Sequence, residues 1–250
     1  MKDCYLAEVI SVSRLSPCMI RIGLGGPAMA RFHSSGWPDE WVRLIFPAEN
    51  GFVTLPCLTD GRWQMPSDKP RSAMRPYTVR RWNEAEGTIL VDFVVHEGGI
   101  ASDWAAVATC GDLIGVTSPY GKYEPPLDAQ WILLIADATG LPATLRILEE
   151  MPTTLAVHAH LEIPTAADIP HDLPHRFNPT WHFGFGDAQQ ATRLQDIAAT
   201  VNLPEGDGYI WVAGEAKEVT AIRRYFLDEV AMPKDRITAI GYWTRGKPRD

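Results

Sequence analysis

Six consecutive residues at 131–136, WILLIA, carry no polar side chain, and the run stops at Asp137. A strand this apolar is stable only when both of its faces are covered, which calls for a sheet with helices on either side. The rest of the second half supplies them. A turn (ATG, 138–140) leads into LPATLRILEE, patterned as a helix; TLAVHAHLE (154–162) reads as the next strand, followed by a loop rich in proline and histidine. TWHFGF (180–185) reads as a third strand, QQATRLQDIAAT (189–200) as a helix and YIWVAGE (209–215) as a fourth strand. AKEVTAIRRYFLDEV (216–230) then reads as a helix and ITAIGYW (237–243) as a closing strand. Strand and helix alternate, so residues 127–250 are expected to form a parallel, doubly wound α/β domain.

The first half has another texture. AEVISVSRLSPCMIRIGLG (7–25) gives two alternating runs broken at Ser16-Pro17, a hairpin pattern. WVRLIFP (41–47), RPYTVRRW (75–82), GTILVDFVVH (87–96) and GDLIGVTSP (111–119) follow, each bounded by turn-forming residues. Six short antiparallel strands of this spacing predict a small closed barrel over residues 1–126. One helix interrupts it, ASDWAAVA (101–108), with Ser102 and Asp103 read as its cap. PPLDAQ (125–130) reads as the linker. A barrel joined to a nucleotide-type domain leaves a cleft where cofactor and substrate can meet.

A net charge of −8 argues against nucleic acid, which needs a basic face. The cysteines, Cys4, Cys18, Cys57 and Cys110, form no C-x-x-C pair, so neither an iron–sulfur cluster nor a zinc knuckle is encoded. The opening MKDCYLAEVI lacks a secretory apolar core, and no run nears the roughly 18 apolar residues of a membrane span. The expectation is a soluble, monomeric, cytoplasmic protein. His158, His160, His171 and His175 cluster in sequence, but the pattern fixes no metal set, and metal binding is not expected.

RPYTVRRW is the least ordinary strand. Plain alternation puts Tyr77, Val79 and Arg81 on one face and Thr78, Arg80 and Trp82 on the other, a layout suited to something anionic or flat. Pro76 lacks an N–H and belongs at an edge. Asp137 to Ala143 forms the turn between an apolar strand and a helix, where open α/β sheets bind nucleotides, although no G-x-G-x-x-G is present.

These segments have company elsewhere: Gly99-Ile100-Ala101-Ser102-Asp103-Trp104-Ala105, Cys110-Gly111-Asp112 followed by Ser118-Pro119-Tyr120-Gly121, Trp211-Val212-Ala213-Gly214-Glu215, and Gly241-Tyr242-Trp243-Thr244-Arg245-Gly246. With Arg75-Pro76-Tyr77-Thr78 and Asp137-Ala138-Thr139-Gly140-Leu141-Pro142-Ala143, and in this order, they resemble the motifs of the siderophore-interacting proteins. These are flavin-dependent ferric-siderophore reductases of the ferredoxin reductase superfamily. The resemblance spans nearly the whole chain, and departs from the family where Ile100 replaces a proline and Glu97 precedes the glycines.

The resemblance implies an FAD-binding barrel followed by an NAD(P)H-binding domain, with NADPH or NADH as donor. It implies a cofactor set of Arg75, Pro76, Tyr77, Thr78, His96, Gly99, Ala101, Ser102 and Trp104, then Asp137, Thr139, Pro142, Gly214, Glu215, Tyr242 and Trp243. Arg75 offers a planar fork of donors to a pyrophosphate, Tyr77 a ring and Thr78 a hydroxyl to the flavin. The start of the 101–108 helix suits the pyrophosphate, and Thr139 with the amides after Gly140 suits the dinucleotide. The flavin carries the redox chemistry, so no catalytic side chain is expected. Arg43, Arg62, Arg71, Arg245 and Lys247 are the candidate contacts for an anionic ferric siderophore. For the donor, Arg176 is the cation in a loop that also holds Glu162, Asp168 and Asp172, and no arginine follows Trp181 on its strand. A protein electron donor, a general flavin reductase and a non-catalytic siderophore-binding protein are the alternatives.

Overall fold

The computed structural model describes residues 3–173, 176–184 and 192–247. They fall into two compact units, one of residues 3–15 and 19–121, the other of residues 16–18 and 122–247.

The first unit contains β1 (Cys4–Ser16), β2 (Met19–Gly25), β3 (Trp41–Ile45), β4 (Cys57–Thr59), β5 (Arg62–Gln64), β6 (Met74–Thr78), β7 (Arg81–Asn83), β8 (Thr88–Val94), the helix α1 (Ile100–Val107) and β9 (Leu113–Thr117). Seven strands form one sheet in the order β6-β3-β9-β1-β2-β8-β7. Along β1, Tyr5, Ala7 and Val9 are buried while Leu6, Glu8 and Ile10 are exposed, the period of two that one-sided burial imposes. Ile22, Leu24, Leu44, Val91, Phe93 and Val116 complete the interior. On the β2–β8 pair Arg21 and Asp92 lie opposite each other and form two contacts, Nε to Oδ1 at 2.6 Å and Nη2 to Oδ2 at 2.8 Å.

The sheet has seven strands rather than the expected six because RPYTVRRW is two strands, not one. β6 pairs with β3, whereas β7 pairs with β8 at the far edge of the sheet. At the crossing, Val79 N donates to Glu40 O (2.9 Å) and Arg80 N to Leu90 O (2.9 Å). The alternation expected of a single strand therefore fails after Thr78: Val79 and Arg80 are both buried, and Arg81 is exposed. Pro76 sits on an edge strand, where its missing N–H breaks no ladder. The β4–β5 hairpin is an element the sequence reading lacked. It turns on Asp60 (φ 50°) and Gly61 (φ 74°), the left-handed pair of a tight two-residue turn.

The second unit contains β10 (Trp131–Ala136), α2 (Leu141–Glu150), β11 (Ala156–Ile163), β12 (Thr180–Phe183), α3 (Leu194–Thr200), β13 (Gly208–Glu215), α4 (Ala216–Asp228) and β14 (Ile237–Trp243). Its sheet is parallel, in the order β12-β11-β10-β13-β14. Every residue of β10 and β13 is buried, as their unbroken apolar runs require. The chain leaves β10 towards β12 and then resumes on β13, so the direction of winding reverses between β10 and β13. The C-terminal ends of those two strands form the switch point, the place where open α/β sheets accept ligands. Residues 189–191 of the helix predicted over 189–200 lie outside the described residues, as do Phe185 of the predicted third strand and His175; α3 begins at Leu194. No described helix is long and apolar enough to cross a membrane.

Candidate cofactor sites in each unit

In the first unit, β6 and α1 are brought together through one aromatic residue. The Tyr77 ring packs on Phe93 (centroids 4.4 Å apart, tilted 35°), and Phe93 in turn contacts Trp104 of α1 at 5.9 Å. Phe46 closes the group against Trp104 at 5.5 Å. Tyr77 stays half-buried, and burial raises its phenol pKa above the ordinary range. Thr78 is buried, and Arg75 is half-buried with Nη1 donating to Met74 O at 2.8 Å.

The loop before α1 is built around Ser102. Its hydroxyl accepts from His96 N (2.8 Å) and donates to His96 O (2.7 Å), so it ties down the loop instead of capping the helix as expected. The N-cap is Gly99, with no side-chain cap. The His96 ring occupies the space beside it: a Cβ on Gly99 would lie 2.2 Å from His96 Cε1. Gly98 adopts φ +75° with nothing within 4 Å of where a Cβ would be. Glu97 and Ile100 are exposed, while Ala101 is buried. The first amides of α1 thus carry no side-chain cap and follow an unobstructed glycine, which fits a bound pyrophosphate. Ser102→Ala would orphan two backbone groups, and we expect a loss of about 1–3 kcal/mol in denaturant unfolding.

In the second unit, Asp137 organises the switch point. It follows β10, is 1% exposed, and accepts four hydrogen bonds. Oδ1 receives Thr139 N (2.9 Å) and Thr139 Oγ1 (2.5 Å); Oδ2 receives Glu215 N (3.1 Å) and Trp243 Nε1 (2.8 Å). Burial pushes its carboxyl above the usual range, and the hydrogen bonds from Thr139 and Trp243 offset only part of that rise. A register shift between Gly214 and Glu215 sets Glu215 opposite Trp243. Gly214 has φ +156°, and a Cβ there would come within 2.6 Å of Asp137 Oδ2.

Glu215 caps α4, its Oε2 accepting from Lys217 N (2.6 Å) and Glu218 N (3.1 Å). Its other oxygen accepts from Arg245 N (3.2 Å), so the same carboxylate positions the turn that carries Arg245 and Lys247. Pro142 lies in the first turn of α2, where no N–H is missed, and no side chain caps that helix at Gly140. Tyr242 is half-buried, edge-on to Trp211 at 6.5 Å. Asp137, Thr139, Gly214, Glu215 and Trp243 therefore converge, but the carboxylates of Asp137 and Glu215 are turned inward onto the protein. They shape the switch point from within.

The candidate substrate cations are dispersed over separate elements. Arg43 is half-buried on β3 with its guanidinium 6.0 Å from the Trp41 ring centroid, Arg62 is exposed on β5, and Arg71 is exposed in the following loop. Arg245 and Lys247 are exposed in the second unit.

The donor-side expectation needs revision. Arg176 donates to Leu148 O (2.9 Å), Glu149 O (3.3 Å) and Met151 O (3.3 Å), closing the C-terminal end of α2, and stacks on Phe177 at 4.7 Å. Glu162 is not in a loop. It belongs to β11 and is fully buried, its carboxylate accepting from Thr192 Oγ1 and from Arg193 N (2.9 Å). Burial raises its pKa. Sequence order hid Arg193, which Glu162 draws to the end of β11 from a distant position.

Comparison with known proteins bears on both units. The profile described as "siderophore-interacting FAD-binding domain" matches residues 8–123, and that described as "siderophore-interacting protein" matches residues 129–246. An NADPH-dependent ferric-chelate reductase of Escherichia coli is 33% identical over 240 residues, covering 94% of this chain and 91% of that protein. Ferric vibriobactin reductase ViuB of Vibrio cholerae is 29% identical over 252 residues, covering 97% and 90%. The crystal structure of a siderophore utilization protein from T. fusca superposes with a TM-score of 0.85 at 34% identity, covering 98% of this chain and 94% of that one.

Proposed function

The chain belongs to the siderophore-interacting protein family, and from that premise we propose that it is an FAD-dependent ferric-siderophore reductase with NADPH as donor. One NADPH yields NADP+, a proton and two electrons, which reduce two chelated ferric ions to ferrous ions. The observation that carries this reading is the presence, in one chain, of a matched FAD-binding unit and a doubly wound sheet with its switch point.

Bound FAD supplies the conversion of a hydride into single-electron transfers. The chain's own residues do the rest. Arg75 holds the FAD phosphates together with the uncapped amides of α1, while Tyr77 and Thr78 border the ring system. His96, Gly99 and Ser102 set the course of the loop into that helix, with Trp104 packed behind. Asp137 fixes Thr139 and the Trp243 indole in place, and Glu215 fixes the turn bearing Arg245 and Lys247, which meet an anionic chelate. Ferric ion is hard and held by oxygen donors; ferrous ion is held less tightly, so reduction releases it without a protein ligand. Release serves the cell only on the cytoplasmic side, where we place the protein.

NADPH is favoured over NADH by the strand-end chemistry. In such folds an acidic residue near the end of the second strand accepts the ribose 2′-hydroxyl of NADH. Glu162 stands near that end, but both of its oxygens are occupied by Thr192 and Arg193. The side chain presented beside it is the cation Arg193. Arg193→Ala is expected to raise KM for NADPH roughly tenfold or more, the scale of a charged contact, and to leave KM for NADH nearly unchanged. Equal effects on both would remove Arg193 from the 2′-phosphate.

The function is tested by steady-state assay of the FAD-loaded protein with catecholate and hydroxamate ferric chelates, with a ferrous trap, against free flavin. Turnover of at least one chelate above the free-flavin rate is expected. Rapid reduction of free flavin with none of the chelates would make it a general flavin reductase.

A further inference from the structure

We propose that His160 and His182, with Arg193, form a proton-linked site for a phosphate monoester, whose ligand is the 2′-phosphate of NADPH. This rests on the donor reading above and adds to it a pH dependence and two specificity residues.

The two imidazoles lie on neighbouring strands at the edge of the sheet, since β12 is its outermost strand. His160 Nδ1 is 3.2 Å from His182 Nε2, and the rings stack with centroids 5.5 Å apart at 22°. Two ring nitrogens that face each other at this distance have room for one proton between them, so one donates and the other accepts. His160 and Glu162 are two residues apart on one face of β11, and Glu162 is the register partner of His182. Glu162 also accepts from Arg193 N at 2.9 Å. The pair, the carboxylate and the arginine are thus neighbours.

The charged and titratable groups around the pair are His158 and Glu162 on β11 and Arg193 at the start of α3; Asp137 acts in turn on Glu162. Burial lowers both histidines, reinforced at His182 by the Arg193 charge and at His160 by the other two imidazoles. Both are therefore neutral near pH 7. Beside this uncharged pair stand the Arg193 cation and the buried Glu162 carboxylate, whose two oxygens already accept from Thr192 Oγ1 and Arg193 N. A phosphate dianion changes the protonation of the pair. It accepts an N–H from one imidazole and stabilises a proton on the other, so binding takes up protons. Affinity for the phosphate-bearing ligand should then rise as pH falls towards the histidine range, until protonation of the phosphate itself, near pH 6, offsets the gain.

The test is calorimetric titration of the full-length FAD-loaded protein with 2′,5′-ADP and with 5′-AMP at pH 6.5 and 8, each in two buffers of different ionisation enthalpy. Wild type should bind 2′,5′-ADP about threefold to tenfold more tightly at pH 6.5, with net proton uptake, whereas 5′-AMP shows neither. His182→Gln and His160→Gln, checked for an unchanged thermal unfolding midpoint, should lose both the pH trend and the proton uptake. Equal pH trends in wild type and both variants would overturn the proposal, as would 2′,5′-ADP binding no tighter than 5′-AMP while NADPH still reduces the flavin. Proton-linked 2′,5′-ADP binding in a protein whose flavin NADPH fails to reduce would uphold the phosphate site and sink the donor reading instead.

Discussion

Asp137→Ala is expected to lower the unfolding free energy by about 3–5 kcal/mol, the largest single effect in the second unit. The carboxylate ties together the ends of three strands: its own β10, β13 through Glu215 N, and β14 through Trp243 Nε1. Alanine leaves Glu215 N, Trp243 Nε1 and the two Thr139 donors without their acceptor, in a place where the aspartate is 1% exposed. Each buried orphan costs about 1–3 kcal/mol, and partial rehydration of Thr139 keeps the sum below the simple total. Asparagine should cost less, about 2–3 kcal/mol, because it keeps one acceptor oxygen and turns an amide towards the remaining donors. Urea unfolding followed by tryptophan fluorescence reads this directly, with the two units fitted as separate transitions. A loss under about 1 kcal/mol for alanine would mean that the four hydrogen bonds are not what holds the switch point.

The second large effect concerns the other unit. Arg75→Ala is expected to weaken FAD binding by about 1.5–3 kcal/mol, roughly 10- to 150-fold in Kd, the scale of a charge-assisted hydrogen bond. Arg75 is half-buried on an edge strand, with Nη1 donating to Met74 O, and a guanidinium carries five N–H donors in a planar fork that matches phosphate geometry. Lysine should recover only part of the affinity, since it keeps the charge and loses the fork. Titration of flavin-free protein with FAD, followed by quenching of flavin fluorescence, gives the constants. An unchanged Kd in the alanine variant would remove Arg75 from the phosphate contact.

Much of the architecture was legible in the sequence because burial on both faces leaves a mark. WILLIA and YIWVAGE could be little else than central parallel strands, and their positions in the sheet agree. The hairpin at β4–β5 was readable too, from Asp60-Gly61, but its three-residue strands show too little alternation to stand out. RPYTVRRW misled for a different reason. Period-two reasoning assumes one continuous strand, and the change of partner at Val79–Arg80 depends on Glu40 and Leu90, which are distant in sequence.

The candidate residues divide in the same way. Motif order located the segments, but residue type alone does not say which way a polar group faces. Ser102 looks like a cap and instead clamps His96; Glu215, expected at the cofactor, has its carboxylate engaged in capping α4 and steadying the Arg245 turn. Arg176 looked like the cation for a donor phosphate because it lies in the loop after β11, yet the carbonyls ending α2 claim it. Arg193 and the His160–His182 pair come together only through strand pairing and the buried Glu162, which no local pattern encodes.

The central claim is tested most directly by one anaerobic experiment on the FAD-loaded protein. NADPH is added in stoichiometric amount, the loss of the oxidised-flavin absorption is recorded, and a ferric siderophore is then mixed in with a ferrous chelator present. The flavin is expected to bleach on NADPH addition and to recover its oxidised spectrum as two ferrous ions appear per NADPH consumed. A flavin that bleaches but stays reduced in the presence of every ferric chelate, with no ferrous ion trapped, would contradict it.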